Sequence, residues 1–140
     1  MEMRICGVEI TGSNAIFAIV QVDNETFNHL NIETKKIGLR DDEDAINIKS
    51  FSALIESFVK DNHIDLVAIK KRNKQGTFSG GAVTFKIETI FQFLENCTVQ
   101  LISPQTIAAA HKRHHFVIPD SLNKYQHEAF LTACTAASRG

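Results

Sequence analysis

Residues 5–13 read Ile5-Cys6-Gly7-Val8-Glu9-Ile10-Thr11-Gly12-Ser13, an apolar run that reaches an acidic residue just before a glycine-containing turn. The β-rich stretch 3–10, the turn Thr11-Gly12-Ser13-Asn14 and the apolar stretch 15–22 (AIFAIVQV) predict a hairpin. Both faces of its strands are apolar, which is the pattern of central strands covered on two sides. Glu9 breaks that pattern, so a structural explanation based on burial alone does not account for it. It is the first candidate for a functional residue.

Outward from the hairpin, a turn at Asp23-Asn24-Glu25 leads to a third strand over residues 29–39, carrying Leu30, Ile32, Ile37 and Leu39. The three strands form an antiparallel meander. The period then changes. Asp41-Asp42-Glu43-Asp44 suits a helix N-terminus, and Phe51, Leu54, Ile55, Phe58 and Val59 recur at helical spacing up to about Asn62. Residues 64–70 (IDLVAIK) make a short buried strand which, after a helical crossover, should run parallel to the first and end at Lys70. A glycine-rich loop, Lys74 to Gly81, precedes a second helix through Ala82, Val83, Phe85, Ile87, Ile90, Phe91 and Leu94. A strand at 98–102 follows. Ser103-Pro104 reads as an N-cap with proline at the first helical position, starting a third helix through Ile107 and Ala110. A last helix is expected over roughly 120–137, with Leu122, Tyr125, Ala129, Phe130, Ala133, Cys134 and Ala137 as its apolar stripe.

The expected fold class is therefore α/β: a five-stranded mixed sheet, three antiparallel strands then two parallel, with helices on both faces. The 140 residues fit one domain, 1–140, and 44% hydrophobic with 22% charged residues is an ordinary globular balance. Cys6, Cys97 and Cys134 are too scattered for a disulfide framework or a zinc ribbon and read as buried thiols. The opening residues have neither the apolar core of a signal peptide nor the length of a membrane span, so the expected location is cytoplasmic, with no membrane partner. Charge is uneven: residues 1–59 hold five Lys/Arg and ten Asp/Glu, residues 60–140 ten and six. Lys70, Lys71, Arg72 and Lys74 are the densest part of the basic half and suit contact with phosphates.

Four motifs in the same order carry a resemblance to the RuvC-like branch of the RNase H-like superfamily. These are Gly7-Val8-Glu9 before the glycine turn, Leu66-Val67-Ala68-Ile69-Lys70 before a loop and helix, Ser103-Pro104 after the fifth strand, and Glu128-Ala129-Phe130-Leu131-Thr132-Ala133 in the last helix. The stretch from Ile69 through Gly80-Gly81-Ala82-Val83-Thr84-Phe85-Lys86 also resembles an uncharacterised bacterial family inside that superfamily. The resemblance implies a catalytic site at Glu9, Lys70 and Glu128, with Mg²⁺ or Mn²⁺ held by Glu9 and Glu128. It also implies a DNA or RNA partner and suggests a homodimer. Carboxylates suit that chemistry because hard divalent cations take oxygen ligands, and the metal activates water for phosphodiester cleavage.

The family places a glutamate where this chain has Lys70, so three carboxylates become Glu/Lys/Glu. An ammonium about 4 Å from a doubly charged metal is repelled by on the order of 8 kcal/mol at an effective dielectric near 20. Two readings follow. One is a divergent nuclease-fold protein that binds structured nucleic acid and hydrolyses phosphodiesters with one divalent metal, with Asp65, Asp120 or Glu88 adding a ligand if the fold brings one in. The other is a non-catalytic domain, needing no cofactor, whose Glu/Lys/Glu cluster serves partner or nucleic-acid binding. A sugar-kinase or actin-like ATPase shares the opening strand and turn but needs two such domains. His111, His114 and His115 have spacing compatible with zinc, but Phe116-Val117-Ile118-Pro119 directly after them marks a helix terminus instead.

Overall fold

The structure, a computed structural model, describes residues 2–72 and 81–139. Lys74, Phe78 and most of the glycine-rich loop lie outside them. In order, the elements are β1 (Glu2–Thr11), β2 (Asn14–Asp23), β3 (Thr26–Leu30), β4 (Lys36–Gly38), α1 (Ala45–Asp61), β5 (Leu66–Lys70), α2 (Ala82–Gln92), β6 (Thr98–Ile102), α3 (Pro104–His114) and α4 (His127–Arg139). The sheet order is β3-β2-β1-β5-β6, with β4 also on β2. β1 and β2 are antiparallel, whereas β5 and β6 follow β1 in parallel. No helix among the described residues is long and apolar enough to cross a membrane.

The expected third strand is two strands, which makes six rather than five. Leu30 faces Ile19 and Lys36 faces Ile16, so Phe17 and Ala18 of β2 stand opposite five residues, 31–35. The outer chain bulges by three residues, and its ladder is interrupted there. Both free groups of Phe17 are nevertheless satisfied. Its N–H donates to the Lys35 carbonyl at 2.9 Å, and its carbonyl accepts the buried Gln126 side-chain amide at 2.9 Å.

Alternation along the strands divides the core into two layers. Cys6, Val8, Ile10, Phe17, Val67 and Ile69 face α1 and α2, meeting Phe51, Ile55, Phe58, Ile87 and Phe91. Phe17 stacks on Phe58 with ring centroids 4.3 Å apart. Ile5, Ile16, Ala18, Ala68 and Ile102 face the other way and meet Ala129, Phe130 and Ala133 of α4. Cys6 and Cys134 are buried and Cys97 is half-buried; all three are free thiols.

Helix α4 lies directly on β1. A Cβ built at Gly7 would run into the backbone carbonyl of Ala129 and stand 2.8 Å from the nitrogen of Ala133. Only a residue without a side chain permits that approach. The last helix also starts later than its apolar stripe suggests, at His127 instead of about 120. A short 3-10 turn over Lys124–Gln126 precedes it. There Asn123 and Gln126 cap each other, and Gln126 is pinned to Phe17, so residues 120–123 stay outside the helix. In consequence Tyr125 is 44% exposed and not part of the buried stripe.

Gly7→Ala should destabilise the chain by at least roughly 1–3 kcal/mol, since the contact is with backbone that no rotamer change can clear. Urea unfolding of the variant against wild type measures this; matching midpoints would mean that α4 is free to shift.

Candidate functional site

β1 and β5 pair in parallel with Ile5 beside Leu66 and Val8 beside Ile69, so Glu9 and Lys70 are the next neighbours in register. They share the face with Ile5 and Ala68, the face covered by α4. Because Gly7 seats α4 at Ala129, Glu128 stands one residue before the seat, above the same two side chains. The Lys70 Nζ donates to Glu128 Oε1 at 2.8 Å and lies 3.8 Å from Glu9 Oε2. All three catalytic candidates therefore converge, with the ammonium between the carboxylates and closer to Glu128.

Glu9 retains 19% and Glu128 43% of side-chain exposure. Burial is the main cause that raises the Glu9 carboxyl above its ordinary value. Lys70 opposes the rise, Glu128 adds to it and Arg72 opposes it. Arg72, two residues after Lys70, is the weaker of the two cations that lower the Glu9 value. The three groups joined here, Glu9, Lys70 and Glu128, carry a formal charge of minus one. Lys71 is exposed beside them, its N–H bonded to the Ile102 carbonyl at 2.8 Å.

The further carboxylates expected as extra ligands are elsewhere. Asp65 accepts the Arg4 N–H at 2.9 Å at the start of β5, the opposite end from Lys70. Glu88 is buried on α2, which covers the other face of the sheet. Asp120 is exposed in the turn before the last helix. Among the described residues no three His, Cys, Asp or Glu side chains gather to hold a metal ion. The histidines do not converge either: His111 and His114 stack on Phe116, and His115 caps α3 in a left-handed conformation at φ 51°.

Gln126 is the positioning residue that the sequence analysis missed. Its side chain ties the start of α4 to β2 and so sets the height of Glu128 over Glu9. The signal for it was Asn123 followed three residues later by Gln126, the pattern of a helix-start capping box.

The strand order β3-β2-β1-β5-β6, with β1 antiparallel to β2 and parallel to β5 and helices on both faces, is that of the RNase H-like fold. The chain belongs to the family described as protein of unknown function (DUF3010), whose model matches residues 3–136. No curated protein matches it in sequence. In structure it is similar to Thermus thermophilus RuvC, with a TM-score of 0.74 at 12% identity, over 96% of this chain and 93% of that one. It is similar also to T. thermophilus RuvC in complex with a Holliday junction substrate, with a TM-score of 0.67 at 13% identity over 96% and 92%. A third is the Fowlpox virus resolvase with Holliday junction DNA, at a TM-score of 0.56 and 17% identity over 98% of each chain. At these identities the likeness is one of fold.

Since the Glu9 value is raised in the folded state above the ordinary 4.5, the folded chain holds the more protons there. Its contribution to stability is full below 4.5 and is lost as pH rises from there through the folded value. Urea midpoints from acid to neutral pH should fall in wild type relative to Glu9→Gln across that window; parallel curves would contradict the assignment.

Proposed function

We propose that this chain is a RuvC-fold domain that binds structured nucleic acid without a metal, using the surface around Glu9, Lys70 and Glu128. The observation that carries the reading is the Lys70 ammonium, held 2.8 Å from Glu128 and 3.8 Å from Glu9, where the two carboxylates would otherwise share a divalent ion. The residues present do not fit that ion. A cation is already supplied by the chain, and no third carboxylate joins among the described residues. The ammonium stands in for the metal electrostatically, but it has no open coordination position to activate water.

Nucleic acid as the ligand is supported by Lys71 and Arg72 flanking the cluster, and by analogy with the two similar proteins seen with Holliday junction DNA. Branched DNA is accordingly the first probe. The alternative, hydrolysis with one Mg²⁺ or Mn²⁺ on Glu9 and Glu128, requires Lys70 to leave both carboxylates.

Metal titration separates the two readings. Mn²⁺ should leave the melting temperature of wild type unchanged and raise that of Lys70→Glu, in which a carboxylate replaces the cation and metal binding stabilises by mass action. A rise in wild type that Glu9→Gln abolishes would favour the nuclease instead.

Binding of a four-way DNA junction should need no divalent ion and should weaken with salt, because phosphate contacts release counterions. Lys71→Gln should reduce the slope of log affinity on log salt by about one. Absence of any complex at low salt would end the nucleic-acid reading.

A further inference from the structure

The site is one part of a longer row. Strand pairing sets Lys36 beside Ile16, Ile16 beside Glu9, Glu9 beside Lys70 in register, and Lys70 beside Ile102. All five lie on the face that α4 covers, because Ile16 and Ile102 are buried there. With adjacent strands about 4.8 Å apart, Lys36 is roughly 14 Å from Lys70 across the sheet.

Above Lys36 stands Tyr125, its ring centroid 5.6 Å from the Lys36 Nζ. Two features make this pair unlike an ordinary surface contact. First, the ring is nearly half exposed although the residue after it is among the most buried in the chain: Tyr125 retains 44% of its surface and Gln126 1%. Second, its backbone is fixed on the C-terminal side. The Gln126 amide donates to the Phe17 carbonyl, and the Gln126 Oε1 accepts the Asn123 N–H at 3.2 Å. The result is an aromatic ring on a rigid turn, with a cation against it and Lys124 exposed next to it. It contributes little to the core. An exposed ring beside lysines is the chemistry that receives a nucleobase and its flanking phosphate.

We propose that Tyr125 and Lys36 form a stacking subsite for an unpaired base, from which the strand's phosphates run along the sheet end to Lys70, Lys71 and Arg72. The proposal rests on the nucleic-acid reading above and deepens it. A base inside a duplex has no free face, so the subsite favours single-stranded or unpaired segments over continuous duplex.

The chain has one tyrosine and no tryptophan, so its intrinsic fluorescence reports on this ring alone. A short oligothymidylate should quench that emission as it binds. Tyr125→Ala and Tyr125→Leu should weaken oligothymidylate binding by roughly 5- to 150-fold, the range of one lost stack, while Tyr125→Phe stays near wild type. Binding of a blunt-ended linear duplex, followed by anisotropy, should change less than about twofold in all three, and their urea midpoints should match wild type. If oligothymidylate binds with unchanged tyrosine emission and equal affinity in Tyr125→Ala, the subsite is refuted while the nucleic-acid reading stands. If neither these oligonucleotides nor the four-way junction binds wild type at low salt, both are refuted.

Discussion

The meeting of charged groups at the end of β1 and β5 depends on how closely one helix approaches one strand. Gly7 lets the backbone of α4 rest on β1 at Ala129, and the small residues Ala129 and Ala133 keep the helix at that distance. The seat is near enough to the end of β1 for the side chain of Glu128 to reach the neighbours Glu9 and Lys70. A larger residue at position 7 would lift the helix, and the separation of the three charged groups would change with it. The polar groups on α4 support this arrangement without reaching across the sheet. The buried Thr132 and Thr135 return their hydroxyls to the helix's own carbonyls, Glu128 and Leu131, at 2.7 Å.

The second constraint is at the start of α4, where Gln126 joins the helix to β2 through the Phe17 carbonyl. That carbonyl is free because the outer chain bulges opposite Phe17 and Ala18. An irregularity at the sheet edge is therefore what allows a helix cap to reach the sheet. The ring of Tyr125 and the carboxylate of Glu128 lie on either side of this anchor, so strain or loss at Gln126 would move both together. Helix seat and helix anchor act at two points, which fixes rotation of α4 as well as its height.

Much of this was legible in the sequence. Glu9 stood out as one acidic residue in an apolar strand, the helical crossover made the strand ending at Lys70 parallel to the first, and the ordered motifs of the resemblance set the two ends side by side. Glu128 followed from the motif in the last helix. The bulge was missed because Leu30, Ile32, Ile37 and Leu39 look like one alternating strand. Yet the first two are even-numbered and the last two odd, and all four turn to the same core layer. An odd insertion between them is the one way to keep a common face, so the change of parity was its trace. The helix start was misplaced because Leu122 and Tyr125 fit a helical stripe, although only Leu122 is buried.

The ammonium of Lys70 also bears on how such a site can change over generations. Lysine is encoded by AAA or AAG and glutamate by GAA or GAG, so the two residues at position 70 are separated by a single first-base transition. A cluster bridged by its own side chain and a cluster dependent on an external ion are thus adjacent in sequence space. The Gly7 seat and the Gln126 anchor do not involve the side chain at position 70. That one-base step would reverse the charge at the end of β5 and leave in place the contacts that seat and anchor α4.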